Sequence, residues 1–251
     1  MSDNQVNGAE EQVAEPFISH LIELRNRLLI ATGGVLFIFI CLVPFANELY
    51  EWFAKPLISN LPQGASMIST EPHGPFFIPF KFAFATAFAV AIPLVLYQVW
   101  AFIAPGLYQN EKSIALPLVV SSTLLFYLGI FFAYYVVFPI IFKFFIGMAP
   151  DGVAVMTDIS AYMSFALKLF FAFGVAFEVP VATVLLARMG VVSTASMAQQ
   201  RPYIILGAFV IGMLMTPPDV FSQIMLAVPV CVLFELGLWF AKRIEPKETL
   251  N

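Results

Sequence analysis

The residues best able to do chemistry are a few acids in a chain with little other polarity. Glu178 and Pro180 lie in AFGVAFEVPVATVLLARMG, residues 172–190. Ten residues separate Glu178 from Arg188. At about 1.5 Å per helical residue that is about 15 Å, half of a roughly 30 Å hydrocarbon core. A charge there costs at least about 2.5 kcal/mol on insertion scales, so an intramembrane acid points to function. The plainer alternative is a protonated or hydrogen-bonded packing residue. Pro180 frees the carbonyl of Ala176, which makes the place doubly polar. Lys168, ten positions earlier, would stand about 15 Å away and about 80° around the helix, a poor ion-pair partner. It is expected to snorkel outward.

Two further acids flank apolar runs. Glu23 belongs to PFISHLIELRNRLL, residues 16–29, together with Arg25. Phe17, Leu21, Leu24 and Leu28 share one helical stripe, and His20, Glu23 and Arg27 another. The pattern alone reads as an amphipathic lead-in lying at a membrane interface. Glu111 belongs to WAFIAPGLYQNEK, residues 100–112, whose aromatic cluster includes Phe102. Alone, that stretch reads as an aromatic belt followed by a solvated acid. Asp219, Gln223 and Glu235 fall on a last hairpin, where Asp219, after Pro217-Pro218, is expected to cap a helix.

No arrangement for covalent or hydrolytic chemistry accompanies these acids. There is no HExxH, no GxSxG and no phosphate loop. Two isolated histidines, His20 and His73, make no metal site. Cys41 and Cys231 both lie in apolar runs and are expected as small packing residues. The expectation is a protein that is not an enzyme and has no metal and no cofactor.

The elements that must position the acids are membrane spans. The chain is 61% hydrophobic and 11% charged over 251 residues, with a mean hydropathy of +0.90. A soluble domain has about 25% charged residues. Apolar runs cover residues 28–47, 82–110, 113–142, 159–187, 202–218 and 220–234. This predicts an all-α polytopic membrane protein with six transmembrane helices, and the longest loop, residues 48–81, as an ordered cap. The uninterrupted apolar parts of the last two runs reach only roughly 21–23 Å. Nucleic-acid binding is excluded by 12 Lys and Arg without a basic patch.

Six spans put both termini on one side. That side collects Arg25, Arg27, Lys112, Arg188, Arg201, Lys242, Arg243 and Lys247, against Lys55, Lys81, Lys143 and Lys168 on the other. The excess predicts cytoplasmic termini. Residues 1–15 are polar and acidic, unlike a signal peptide, and are expected as a disordered tail. Residues 16–243 form the six-helix domain and residues 244–251 a short cytoplasmic tail.

HLIELRNRL (20–28), WAFIAPGLYQNE (100–111), FAFGVAFEVPV (171–181), RPY (201–203) and TPPDVFSQ (216–223) resemble, in order and spacing, the signature segments of the TatC family. The likeness runs from about Phe17 to Arg243. The family is the multispanning subunit of the bacterial twin-arginine protein translocase. The resemblance implies a concave, glove-like bundle of six helices in the inner membrane. It implies a receptor for twin-arginine signal peptides that exports folded proteins using the proton-motive force, with the single-span partners TatB and TatA, in several copies per complex. It further implies that Glu23 and Glu111 form the twin-arginine site and that Arg25, Phe102 and, in the periplasmic cap, Pro56 are functionally sensitive. Glu178 would lie on the concave face with Pro180, and Asp219 and Gln223 match the family pattern. Two departures stand out: SMAQQRPY leaves Arg201 without further basic residues before it, and Lys168 replaces an apolar residue. Apart from the resemblance, the pattern also permits a proton-coupled small-solute transporter with Glu178 as carrier. Such a carrier needs a sealed cavity with partners for the acid, whereas a receptor needs acids at the cytoplasmic mouth.

Overall fold

The computed structural model describes residues 3–59, 67–103, 115–148, 157–216 and 219–244. Helix α1, Asp3–Leu42, continues through a 3-10 turn into α2, Ala46–Ser59. Then come α3, Gly74–Ile103; α4, Ala115–Phe132; α5, Phe138–Gly147; α6, Ile159–Ala176; and α7, Val179–Arg188. The chain ends in α8, Thr194–Gln199; α9, Arg201–Met215; and α10, Val220–Ile244. Residues 3–15, expected as a tail, carry helical backbone continuous with the first span; they hold strong helix formers such as Ala, Glu and Gln.

Five stretches are long and apolar enough to cross a membrane: Ile18–Ala54, Gly74–Ile103, Leu116–Gly147, Ile159–Arg188 and Val220–Ile244. Arg201–Met215 is a sixth, shorter apolar helix. The six runs thus match six helical segments, with two differences in extent. The second span starts at Gly74 and contains Pro79 and Pro93, so Lys81 is helical and, of the expected cap, α2 and residues 67–73 stand outside the span among the described residues. The last apolar run ends before Glu235, whereas its helix runs 25 residues to Ile244, with Lys242 and Arg243 closing the span. A charged residue ends an apolar run without ending a helix, because the backbone ladder is indifferent to it.

The prolines explain the irregularities. Pro93 has no N–H for the carbonyl of Ala89, and the Tyr127 hydroxyl donates to that carbonyl instead, at 2.9 Å. Ahead of Pro139 the helix widens into a π turn, Ala133–Val137, which links α4 to α5. Ahead of Pro180 the helix breaks: the Glu178 amide bonds three residues back to the Val175 carbonyl, at 3.0 Å.

The core centres on α6, where Ala166, Leu169 and Phe173 are fully buried against Ala133, Ile141 and Leu226. Outward, Leu28, Phe37, Ile40, Leu124 and Leu206 are exposed, as suits a lipid-facing surface. Close helix approach rests on small residues. A Cβ on Gly129 would strike the Phe173 carbonyl, and one on Gly237 would lie 2.7 Å from Pro180 Cα.

At the α2 end, Met67–Ile68 (β1) pairs in parallel with Thr157–Asp158 (β2). Asp158 clamps the junction. Its Oδ2 accepts from the Thr70 hydroxyl at 2.6 Å and the Thr70 amide at 2.8 Å, and its Oδ1 caps α6 through the Ala161 amide at 2.9 Å. These donors, the Thr70 hydroxyl first, hold its carboxyl down at about 2.

Candidate functional site

Glu23 lies on α1 where that helix packs along the C-terminal part of α3. Spacing of four residues brings Arg27 onto the same helix face. Arg27 Nε and Nη2 both donate to Glu23 Oε1, at 2.9 and 2.7 Å. Its third nitrogen, Nη1, reaches Gln98 Oε1 on α3 at 3.4 Å. His20 stacks on Phe102 with ring centroids 4.3 Å apart and planes 14° apart, and its Nδ1 is 4.0 Å from Glu23 Oε2. Glu23 and Phe102 therefore share one patch, joined by His20. Arg25 is exposed and contacts the side chain of its neighbour Asn26. Glu111 lies outside the described residues, eight positions beyond the end of α3.

The patch is chemically a guanidinium site. A carboxylate and a carboxamide oxygen accept from one arginine fork, a planar aromatic pair stands on the other side of the carboxylate, and charge-assisted bonds of this kind are short and directional. Sequence reasoning put His20, Glu23 and Arg27 on one stripe but missed Gln98. Its only signal was an amide inside an apolar run, and Gln98 is buried.

A second polar group lies deeper. Gln98 and Phe102 flank Trp100 on α3, whose indole N–H donates to the Ser122 hydroxyl on α4 at 2.9 Å. Ser122 lies beside Glu178, at the break between α6 and α7. Both Glu178 carboxylate oxygens are buried, and the Ser122 hydroxyl is the polar side chain of the described residues that interacts with the carboxylate. Pro180, two residues on, packs its backbone against Gly237 of α10. A carboxylate at a helix break with one hydroxyl beside it and no cation paired to it among the described residues can bind a further donor brought by another molecule or water.

The third group joins α9 and α10. Asp219 Oδ1 accepts the Ser222 amide at 2.7 Å and caps α10, while its Oδ2 is buried without a partner among the described residues. Gln223 Nε2 donates to the Phe209 carbonyl of α9 at 2.8 Å. At the far end of the same two helices, Arg201 grips Glu235 with Nε–Oε1 at 2.6 Å and Nη2–Oε2 at 2.9 Å, a pairing separated by 34 residues that the sequence did not reveal. The side chain of Pro56, in α2, lies outside the described part. Among the described residues no cluster of His, Cys, Asp or Glu could hold a metal ion.

The family described as Sec-independent protein translocase protein (TatC) matches residues 19–229. The Sec-independent protein translocase protein TatC of Haemophilus influenzae is 53% identical over 235 residues, 94% of this chain and 92% of that protein. Its counterpart from Escherichia coli K12 is 55% identical over 228 residues, 91% of this chain and 88% of that protein. The crystal structure of a twin-arginine translocase receptor, TatC, aligns with a TM-score of 0.82 at 38% identity, covering 90% of this chain and 99% of that one. With these matches running nearly end to end, the chain belongs to the TatC family of Sec-independent protein translocases, as a multi-pass protein of the inner membrane.

Proposed function

We propose that this chain is the signal-peptide receptor and core subunit of a twin-arginine translocase, with both termini in the cytoplasm. Glu23, Arg25, Phe102 and Glu111 take the peptide. Glu178 with Pro180, and Asp219 with Gln223, face partner helices or the inserted peptide. Single-span TatA-type and TatB-type subunits complete the assembly, in which several copies of this chain work on folded cargo, driven by the proton-motive force. Pro56 belongs to the periplasmic cap.

One observation carries the receptor reading: Glu23 already holds an arginine fork, that of Arg27, with Gln98 as a second acceptor. A carboxylate that binds one guanidinium at this spot suits the arginines of an incoming peptide, and Glu111 supplies a second acid on the chain leaving α3.

Equilibrium binding of a labelled twin-arginine peptide to the detergent-solubilised full chain tests it, comparing wild type with Glu23→Ala, Glu111→Ala and Glu111→Lys. A charged hydrogen bond contributes roughly 1.5–3 kcal/mol, so each alanine variant should bind about 10–150-fold more weakly. Glu111→Lys should abolish binding of the twin-arginine peptide and restore some binding of a peptide whose arginines are made acidic. Unchanged affinity in all three variants would reduce the acids to solvated surface charges.

A further inference from the structure

A groove of about 1610 Å³ opens between α2, α3, α4 and its π turn, and α6, with the end of α9 at its edge. Its walls are mainly aromatic, including Trp52, Phe84, Tyr135 and Phe171, and among the described residues no carboxylate lines it. Two cations do: Lys81 of α3 and Lys168 of α6. Both are exposed, and neither forms an ion pair among the described residues. The resemblance to known relatives gives Lys168 no role, and the receptor function uses neither lysine.

Their relative depth follows from a ring contact. Phe88 of α3 and Phe171 of α6 meet with centroids 5.7 Å apart. Lys81 is seven residues above Phe88 and Lys168 three above Phe171, so the two Cα atoms differ in height by about 6 Å. A lysine stem spans that gap. Each is also set back from its helix start, Gly74 or Ile159, by about 10 or 14 Å. Both spans hold 30 residues, about 45 Å against a core of about 30 Å, so about 7 Å overhangs at each end. The lysines thus start a few ångströms inside the core edge, where snorkelling carries both ammonium groups up to one headgroup level.

We propose that this groove is a binding site for one anionic phospholipid in the leaflet on the α2 side. Lys81 and Lys168 together hold its phosphate, and the acyl chains lie along Phe84, Phe88 and Phe171. Charge and depth select this occupant. A partner helix would have to bring a carboxylate into an aromatic wall, whereas a phospholipid carries its anion at the height the lysines reach and apolar chains below it. A zwitterionic lipid fits the walls but cancels the charge.

Native mass spectrometry of the detergent-purified full chain tests this, with dioleoyl phosphatidylglycerol or dioleoyl phosphatidylcholine titrated in. The variants are Lys81→Gln, Lys168→Gln, the double variant, and the control Lys143→Gln, an exposed lysine of α5 outside the groove. One phosphatidylglycerol should be retained preferentially. A lysine at a membrane surface favours anionic lipid by roughly fivefold, so the double variant should lose about 25-fold while Lys143→Gln loses nothing. Inorganic phosphate should not displace the lipid, because the chains contribute. Equal retention of both lipids, or a double variant that binds like wild type, overturns the proposal. So does a photo-crosslinker at Phe84 in intact membranes that captures polypeptide and no lipid. Exposed Lys→Gln changes leave the core untouched, and an unchanged melting temperature checks that.

Discussion

Glu23 is occupied before any peptide arrives, and that sets a testable sign. An i,i+4 helical ion pair, here half-buried, contributes only about 0.3–0.5 kcal/mol, while a guanidinium from a docked peptide gains charged hydrogen bonds of roughly 1.5–3 kcal/mol. Exchange of Arg27 for the peptide's arginine is therefore downhill. Arg27→Gln should tighten peptide binding about twofold, measured in the same titration that tests the acids. Weaker binding on loss of Arg27 would mean that it orients Glu23 for the peptide and does not compete with it. Glu178 poses the opposite case: both oxygens are buried, with no cation paired to them among the described residues and one hydroxyl, that of Ser122, beside them. Glu178→Met, close in volume, should raise the melting temperature of the solubilised protein, by about 2–4 °C for each kcal/mol relieved, while impairing export. Glu178→Gln keeps the hydrogen-bonding capacity, and interhelical hydrogen bonds in membranes are worth only about 0.6–2 kcal/mol, so export should suffer mildly. A Gln variant as inactive as a Lys variant would instead demand a negative charge at this position.

At the scale of elements, one side chain reinforces the paired strands that hold the cap. Asp158 joins the loop before α3 to the start of α6 through three donors. Its carboxyl is held at about 2 against an ordinary 3.8. A lowered pKa stabilises the folded form above the ordinary value, and that contribution disappears as pH falls from about 4 through about 2. Hydrogen exchange at residues 69–74 should accordingly rise across that window, and Asp158→Asn should show raised exchange already at pH 7. Protection that is flat between pH 5 and pH 2 would leave Asp158 no part in holding the cap. The elements also show what the sequence could disclose. Spans were legible because about 20 apolar residues have no cheaper place than a bilayer. Helix ends were not: Pro79 in α3 reads as punctuation, yet a membrane helix keeps its course through proline. Glu235 ends an apolar run, yet α10 runs nine residues past it and closes at the basic pair Lys242 and Arg243. The acids of the site were visible as rare polar residues in apolar surroundings. Gln98, and the reach of Arg201 to Glu235, were not, because they depend on which helices lie side by side.

At the scale of the whole molecule, one side of the bundle is shorter than the membrane it sits in. Helix α9 has 15 residues, about 22 Å. Helix α10 is long enough on its own, but its apolar length beside α9 is bounded by Asp219 at one end and Glu235 at the other, again about 22 Å. The Arg201–Glu235 fork ties those two limits to one level, and beyond it Arg243 lies over the Trp239 ring at 3.7 Å, as residues at an interface do. The other long spans reach 30 residues or more. A core of about 30 Å therefore exceeds the hairpin by about 8 Å. At fractions of a kcal/mol per ångström of mismatch, the bilayer yields more cheaply than the ion pair can be buried. The bilayer should be locally thin along α9 and α10, and the barrier to moving a folded protein should be lowest there. Depth-dependent spin labels at lipid-facing positions of both faces measure this in nanodiscs: Leu206, Ile211, Val228 and Val232 on the hairpin, Leu124 and Phe131 on α4. The hairpin labels should report a hydrocarbon thickness of about 22–25 Å and the α4 labels about 30 Å. Shorter-chain lipids should remove the difference, and longer-chain lipids should enlarge it and slow export. Equal thickness at both faces would mean that neighbouring protein, and not deformed lipid, covers the ends of the hairpin.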